Sequence, residues 1–424
     1  MARFILVGLA LGLWGIAAAP ACADAAHRSA APVRQAYVDR RVSALPAAVL
    51  LQAAPQALID PRRQKIAETL GVYRRVLFLA SALSQILVFY YLWRSGNAAR
   101  LRDALKRRLK SLVALRFAYG FSLAAIAGIA ALPASAAQYR VSVVFDQSTQ
   151  PFWGWLLDGI VRVTIDGIAV GLLLVLIMAM VQRTRAWWIY SIVAIFLVSA
   201  LYGLAGTSII SPLFNHYRPI GDRRMQARFV AFEREANVDT PIVWSDASRQ
   251  TQLAFAEVLG FGPGMRIVVA DNLLNSATRG EVEFAVARQI AHVVRNDSLR
   301  TAFVWTFLFV LSIAAGVLVA DRIGYRRDDD PLARLALVGA LAGLAGLVAF
   351  PLYNLYSRHI EVKADAYALQ LTHDPASAVR SFVRSADRRF VALCTPRWAN
   401  IYFGPAKQLG TRIAIATHRH DPCR

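Results

Sequence analysis

Cysteine is scarce in this chain, and its scarcity limits the covalent cross-links that the fold can contain. The 424 residues include three cysteines, and Cys22 lies in a segment interpreted below as a signal peptide. The remaining pair, Cys394 and Cys423, allows one disulfide at most, and only in an oxidising compartment. The chain also has no internal repeat and no low-complexity tract, so a repeat architecture is not expected.

Acidic residues are few relative to basic ones, 27 against 48, and the formal net charge is +21 at pH 7. Such a charge can indicate nucleic-acid binding, but the positive residues lie largely beside long apolar segments. We therefore expect no nucleic-acid partner. The lipid bilayer, with its anionic headgroups, is the expected partner of this charge.

Long apolar segments are abundant. The chain is 57% hydrophobic with a mean hydropathy of +0.42, which is too apolar for an ordinary soluble protein. A helix that crosses a bilayer core needs about 20 residues. Six such spans are predicted, near residues 76–93, 117–134, 165–181, 187–204, 303–320 and 332–353. The predicted fold is an all-α polytopic membrane bundle.

The amino terminus has the features of a targeting segment. Arg3, the apolar run 4–19 and the Ala-Cys-Ala of residues 21–23 fit a signal peptide over residues 1–23 with its cleavage site. The alternative is an uncleaved first membrane helix. Residues 24–73 are predicted to form an amino-terminal arm that is mobile or weakly helical up to about residue 63.

The distribution of basic residues predicts the orientation. The loop after the first span contains seven basic residues and one aspartate: Arg94, Arg100, Arg102, Lys106, Arg107, Arg108 and Lys110 against Asp103. Because short cytoplasmic loops carry excess Lys and Arg, this loop is predicted to be cytoplasmic. By alternation, the long polar region after the fourth span and the carboxyl-terminal tail lie on the other side. We predict a multi-pass protein of the bacterial inner membrane with a periplasmic polar domain.

The segment 281–297, EVEFAVARQIAHVVRND, is similar to a zinc-protease helix that has lost part of its chemistry. In the pattern H-E-x-x-H, two histidines lie one turn apart on one face of a helix, and the glutamate is the general base. Here the five positions are Arg288, Gln289, Ile290, Ala291 and His292. Only the second histidine remains, and a lone histidine on an apolar helix is more often a packing residue than a ligand.

Four separated segments resemble the type I CAAX prenyl endopeptidases and their bacterial relatives. They are residues 145–158, residues 211–219, residues 260–274 and the S-R-x-x-E-x-x-A-D motif of residues 357–365. The resemblance implies a small zincin-like α+β metallopeptidase domain beside the membrane bundle. It divides the chain into four spans (74–208), a metallopeptidase-like region (209–300), two further spans (301–355) and a final metallopeptidase-like part (356–424).

A coarse secondary-structure prediction places the motifs on defined elements. Helices are predicted at 222–236 and 278–295, with strands at 242–245 and 266–269. The sixth span is predicted to continue without a break through Glu361 and Asp365 to about residue 372. This continuity would bring Glu361 against His292.

In the family, zinc takes two histidines from the motif helix and one carboxylate from the later motif. The resemblance makes His292 and Glu361 vestigial metal ligands and Asp365 a supporting acid. Arg288 occupies the missing ligand position and has no lone pair to give a metal, while Gln289 occupies the position of the general base. Zinc is therefore expected to be absent or weakly bound. Without the resemblance, Glu361 and Asp365 would be read as a solvated ion-pair surface.

The loss of a cation suggests what replaced it. Glu361 and Asp365 lie one helical turn apart, so without a metal their like charges would destabilise a partly buried cleft. The guanidinium of Arg288 is permanently charged and fits carboxylates. We predict an ion pair between Arg288 and Glu361 at the position of zinc. Two further departures from the family, Phe255 at an expected asparagine and Ala406-Lys407 at an expected His-Pro, indicate coordinated loss of substrate-handling groups.

Three functions remain open from the sequence. The first is a catalytically inactive pseudopeptidase that binds peptide or membrane-protein segments. The second is an active zinc-dependent metalloendopeptidase with non-standard ligands, acting on CAAX-type or membrane-protein substrates. The third is a non-proteolytic membrane transport or assembly factor.

Overall fold

The computed structural model describes residues 34–183, 187–323 and 331–423. The predicted signal peptide, residues 1–23, and the first part of the predicted arm lie outside the described residues. The described chain is mostly helical, with one small sheet.

The described part of the amino-terminal arm is folded. It forms three short helices, α1 (Gln35–Ser43), α2 (Ala47–Gln52) and α3 (Pro55–Leu58). Their fully buried apolar residues are Val38, Val42, Leu50 and Leu58. The described part of the arm is therefore helical, which was one of the two predicted alternatives. Apolar residues one turn apart also give α1 a face that packs into the core.

A series of helices follows the arm, and most of them are long and apolar. They are α4 (Pro61–Arg94), the short basic α5 (Asn97–Arg108), α6 (Leu112–Val144), α7 (Phe152–Arg183) and α8 (Trp187–Ala205), which leads through a π-helical turn (Gly206–Ile210) into α9 (Ser211–Phe214). Helix α4 begins at Pro61, and the Asp60 carboxylate accepts a hydrogen bond of 2.8 Å from the Arg62 N–H. A proline at the first helical position and an aspartate before it are typical helix starts.

A small α+β domain is inserted after α9. It consists of β1 (Tyr217–Pro219), α10 (Arg223–Ala236), β2 (Ile242–Ser245), β3 (Ala256–Leu259), β4 (Arg266–Ala270), α11 (Asp271–Ser276) and α12 (Arg279–Val294). The strand order is β1-β2-β4-β3; β2 and β4 are parallel and the other pairs are antiparallel. Strand β3 therefore lies at an edge. The helices and strands predicted in this region match to within one residue at each end.

The remaining helices complete both parts of the molecule. They are α13 (Asp297–Arg322), α14 (Pro331–Thr372), α15 (Pro375–Arg389), α16 (Arg397–Phe403) and α17 (Leu409–Thr417). Helix α14 has 42 residues, which makes it roughly 60 Å long at 1.5 Å per residue, about twice the thickness of a bilayer core. As predicted, it continues unbroken through Glu361 and Asp365, so it extends out of the bundle to α12.

Five of the described helices are long and apolar enough to cross a membrane: α4, α6, α7, α13 and α14. The fourth predicted span coincides with α8, whose apolar part, Ile189–Ala205, is shorter. Helices α6 and α7 approach closely because both have glycine at the contact. A Cβ atom on Gly120 would lie 3.0 Å from the Cα atom of Gly171, an arrangement common between membrane helices.

The two ends of the bundle differ in character. At one end, Leu92 of α4, Ala98 of α5 and Leu332 of α14 belong to one buried cluster. At the other end, Ala67 of α4 packs with Phe390, which follows α15. The basic helix α5 therefore lies at the end of the bundle opposite to the α+β domain.

A disulfide closes the carboxyl-terminal segment. Cys394 and Cys423, the pair that the sequence left available, are bonded with Cα atoms 5.2 Å apart. The bond joins the segment after α15 to the end of the chain. Nearby, Ile413 of α17 and Phe382 of α15 are buried in the main core with Phe284 of α12.

A buried charged cluster holds the arm against α15. The Asp387 side chain is fully buried and forms an ion pair with Arg41 at 2.5 Å. Arg63 donates hydrogen bonds of 2.9 and 2.7 Å to the Asp387 carbonyl. Burial raises the pKa of Asp387 to about 6 even though Arg41 opposes the shift. The arm is therefore attached through a carboxylate whose ionisation is disfavoured by burial.

The raised pKa of Asp387 predicts a pH-dependent stability. Because its folded pKa exceeds the ordinary 3.8, the protonated group stabilises the fold fully below pH 3.8, and this contribution is lost as pH rises through about 6. The loss amounts to about 3 kcal/mol at 1.36 kcal/mol per pKa unit. The measurement is the Tm of the unmodified protein and of Asp387→Asn between pH 4 and pH 7.5. The unmodified protein should lose stability relative to the variant across this interval; a constant difference would contradict the prediction.

Candidate functional site

The candidate site lies where α12 packs against the carboxyl-terminal part of α14. Arg288 and His292 are one turn apart on α12, and Glu361 and Asp365 are one turn apart on α14. Residues spaced by four share a helix face. The structure brings all four side chains together.

The Arg288 guanidinium lies between the two carboxylates of α14. Its Nη2 pairs with Glu361 Oε2, as the sequence predicted, and its Nε lies 2.7 Å from Asp365 Oδ1, although that contact is not aligned as a hydrogen bond. Burial alone would lower the pKa of Arg288, but Asp365 and Glu361 raise it above its ordinary value. The guanidinium is therefore a fixed positive charge at the centre of the site.

Asp365 is held from a second direction by α17. Arg412 donates hydrogen bonds of 2.7 Å from Nε and 2.8 Å from Nη2 to the two carboxylate oxygens of Asp365. This is the bidentate geometry in which arginine binds carboxylates most strongly. The sequence did not indicate the contact of Arg412 with Asp365, because 47 residues separate the two.

His292 is oriented by a residue that the sequence analysis did not single out. Its Nδ1 lies 2.9 Å from Asp297 Oδ2, and its Nε2 lies 3.8 Å from Glu361 Oε1. Asp297 is buried at the start of α13. Asp297 is the last residue of the segment 281–297, five residues after His292 and at the start of α13. That spacing was the sequence feature from which the contact could have been suspected.

Gln289 occupies the position of the general base. Its side chain is buried, with 7% exposed, and it faces a cavity beside Arg288. Within the described part of the chain, its amide has no hydrogen-bond partner. An amide does not accept a proton near neutral pH, so Gln289 contributes a donor and an acceptor but no base.

The residues do not fit a zinc site. Zinc sites use at least three protein ligands at about 2.0 to 2.3 Å, and the described residues include no group of three His, Cys, Asp or Glu side chains placed to hold a metal. His292 and Glu361 are two possible ligands. The position of the third is occupied by Arg288, whose guanidinium forms an ion pair with Glu361. His359, two residues before Glu361 on α14, is exposed.

A cavity of about 310 Å³ opens beside the Arg288 ion pairs. The segment 254–256 and α15 contribute two walls, which meet where Arg389 donates a hydrogen bond to the Ala254 carbonyl. Helix α12 contributes Ala285, Arg288 and Gln289 and is called the floor. Phe255 and Ala406, at the two positions where family-type polar groups are missing, both line it. Its arginines are Arg288, Arg384, Arg388, Arg389 and Arg412. The arginine row of α15 was not recognised as part of the site, because nothing local to α15 indicates which element it faces.

Two arginines of α15 have structural partners. Arg384 forms ion pairs with Glu281 at 2.7 Å and Asp39 at 2.9 Å. Arg388 lies 2.9 Å from Asp39 and donates a hydrogen bond of 2.6 Å to the Gln252 carbonyl. These contacts tie α15 to α1 and α12. They also fix the position of the wall relative to the floor of the cavity.

Comparison with known proteins gives consistent similarities. Residues 221–419 match a family model described as Peptidase family M48, and residues 57–216 match one described as CAAX prenyl protease N-terminal, five membrane helices. The chain is 25% identical to the "Uncharacterized metalloprotease YhfN" of Bacillus subtilis (strain 168), over 88% of this chain and 90% of the relative.

More distant relatives cover less of the chain. The "CAAX prenyl protease 1 homolog" of Dictyostelium discoideum is 25% identical over 43% of this chain and 45% of its own length. Among solved structures, S. mikatae Ste24p superposes with a TM-score of 0.72 at 18% identity, over 97% of this chain and 98% of that one. The fold is therefore shared along nearly the whole chain.

Removal of the central cation predicts a loss of stability. Arg288→Met would leave Glu361 and Asp365 without their shared partner, and breaking such a buried pair costs roughly 3 kcal/mol. The double variant Arg288→Met/Glu361→Gln should regain much of the lost stability, because it also removes the negative charge that Arg288→Met leaves uncompensated on Glu361. The measurement is thermal unfolding in detergent.

Arg228→Met is the matched control for this series. Arg228 pairs with Glu283 of α12 at 3.5 Å but is 44% exposed, so its removal should change stability by about 0.5 kcal/mol or less. Equal stability of Arg288→Met and the unmodified protein would show that the central pair contributes nothing.

Proposed function

The chain belongs to peptidase family M48, a family of membrane zinc metalloproteases, and we propose that it is a pseudopeptidase that binds peptide or membrane-protein segments without cleaving them. The observation that carries the proposal is the Arg288 guanidinium at the position of the first metal ligand, paired with both carboxylates of α14. A side-chain cation has taken the charge-balancing role of a metal ion.

The electrostatics of the site oppose a metal. Two unit positive charges 4 Å apart repel each other by about 4 kcal/mol at an effective dielectric constant of 20, and zinc carries two charges. A zinc ion between His292 and Glu361 would meet this repulsion from Arg288 and would compete with it for Glu361. Loss of the general base at Gln289 would by itself lower the rate by roughly 10²- to 10⁴-fold.

The cavity supports the binding part of the proposal. Its volume of about 310 Å³ lies at the lower end of the range of small-ligand sites. Its wall at residues 254–256 leads into β3, which is an edge strand. An edge strand can pair with the main chain of an extended peptide. Binding therefore needs none of the groups that catalysis would require.

We further propose that the α+β domain faces the periplasm. The exposed basic residues of the α5 end, Arg100, Lys106, Arg107, Arg108 and Lys110, favour a cytoplasmic position beside anionic lipid headgroups. The α+β domain is at the opposite end of the bundle. The Cys394–Cys423 disulfide on that side supports an oxidising compartment, because cytosolic disulfides are rare.

Zinc content tests the pseudopeptidase proposal. We expect the purified chain to contain far less than stoichiometric zinc by elemental mass spectrometry and to leave casein intact. Arg288→His/Gln289→Glu restores the motif and should gain zinc, because it removes the competing guanidinium and adds a ligand. Arg288→Lys/Gln289→Asn, altered at the same positions without adding a ligand, is the matched control. Stoichiometric zinc with chelator-sensitive proteolysis in the unmodified chain would refute the proposal.

Thiol labelling tests the orientation. In a Cys22→Ser background, a membrane-impermeant maleimide should label Cys394 and Cys423 in spheroplasts only after reduction. A cysteine at Lys106→Cys in α5 should react only after lysis. Labelling of α5 in intact spheroplasts, or free thiols at Cys394 and Cys423 without reduction, would contradict a periplasmic domain.

A further inference from the structure

Helix α15 presents a polar face to the cavity. Ser381, Arg384, Ser385 and Arg388 recur at intervals of three and four residues and share one side of the helix. Arg389, the last residue of α15, also lines the cavity. This wall contacts the segment before β3 directly, because Arg388 and Arg389 donate hydrogen bonds to the Gln252 and Ala254 carbonyls.

Arg389 differs from the other arginines of the cavity. Arg288, Arg384, Arg388 and Arg412 each have at least one carboxylate partner within 4.0 Å. Across residues 34–183, 187–323 and 331–423, no acidic side chain lies within that distance of Arg389. Its hydrogen bond is long, 3.4 Å from Nη2 to the Ala254 carbonyl.

The surroundings of Arg389 disfavour its charge. Burial lowers its pKa, and Arg288 and Arg412 lower it further. Glu257 on β3 acts in the opposite direction but does not approach within ion-pairing distance. A buried cation without an ion pair would be stabilised by an anion that bound beside it.

Uncommitted polar groups surround the same cavity. Gln289 is buried, with 7% of the residue exposed, and it lines the cavity without a side-chain hydrogen-bond partner among the described residues. The hydroxyls of Ser381 and Ser385, also in the lining, likewise have no partner within the described ranges. Groups of this kind normally hydrogen-bond to protein, water or ligand. Together they provide donors beside a cation.

We propose that Arg389 binds a carboxylate of a peptide held in this cavity, with donors from Ser381, Ser385 and Gln289 available around it. The inference rests on the proposed peptide-binding function and specifies which chemical group of the peptide is recognised. A planar guanidinium matches a carboxylate in a bidentate arrangement. The edge position of β3 suits an extended peptide chain. The carboxylate can be the carboxyl terminus of the peptide or an acidic side chain, and these two sources are distinguishable.

The experiment uses the purified full chain in detergent and fluorescence anisotropy. The probes are an amino-terminally labelled Ala-Val-Ala-Val-Ala peptide with a free carboxylate, its carboxyl-terminal amide, and an amide with Glu as the last residue. The free acid, the Glu amide or both should bind at least roughly tenfold more tightly than the plain amide, because a charged hydrogen bond is lost without the carboxylate. Preference for the acid alone assigns the terminal carboxylate; equal binding of acid and Glu amide assigns any carboxylate.

Arg389→Gln should abolish this preference and leave the affinity for the plain amide nearly unchanged. Arg389→Lys, which keeps the charge without the fork, should be intermediate. Arg234→Gln, on the exposed surface of α10, is the matched control and should keep the preference. The Tm of Arg389→Gln should not fall, because the variant removes a cation that has no ion pair; a lower Tm together with weaker binding of every probe would assign Arg389 a structural role and overturn the inference.

Other outcomes separate the inference from the proposed function. Equal binding of acid and amide by the unmodified chain overturns the carboxylate subsite and leaves peptide binding intact. Hydrolysis of the probes by a chain that contains stoichiometric zinc refutes the pseudopeptidase proposal. The carboxylate subsite is still supported in that case if the preference for carboxylate probes depends on Arg389. No binding of any probe overturns both.

Discussion

The ion pairs of Arg288 with Glu361 and Asp365 are the interaction on which the arrangement of the site depends. They join α12, the floor of the cavity, to the end of α14, a helix that also spans the bundle. Without a cation, two carboxylates one turn apart would face α12 in a partly buried position. Arg288 and Arg412 together provide that charge, so the packing of α12, α14 and α17 is electrostatically consistent without an added ion.

Buried charge organises the rest of the α+β domain in the same way. Arg384 connects α15 to Glu281 in the capping box of α12 and to Asp39 of α1. Asp387 connects α15 to Arg41 and Arg63. Buried ion pairs are weak sources of net stability, but loss of one partner is costly. Any other placement of the arm would leave these buried charges without partners. The ion pairs therefore specify the position of the arm more closely than its short apolar helices do.

The parts that could be predicted from the sequence are those with a local signature. Apolar length predicted the membrane helices, and the four-residue spacing of Glu361 and Asp365 on a continuous α14 led to the predicted pair of Arg288 with Glu361. Strand β3 has no alternating apolar pattern and was not assigned. The contacts of Asp39 and Asp387 with distant arginines span hundreds of residues, and no local pattern specifies such partners. The packing of the arm was not predictable for the same reason, because its helices are short and gain their stability from tertiary contacts.

A guanidinium and a metal ion balance carboxylates in different ways, and this difference explains why the cavity has an unused cation. A divalent ion would satisfy Glu361 and polarise a ligand through an open coordination position. Arg288 pairs through Nη2 with Glu361 and through Nε with Asp365, so two carboxylates already balance its charge. Any attraction for a bound peptide must then come from groups outside this pair. Arg389 lines the same cavity without an ion-pair partner in the described chain, and its one hydrogen bond there is long. With Ser381 and Gln289 beside it, it is a group through which a binding site can persist where a catalytic one has been lost.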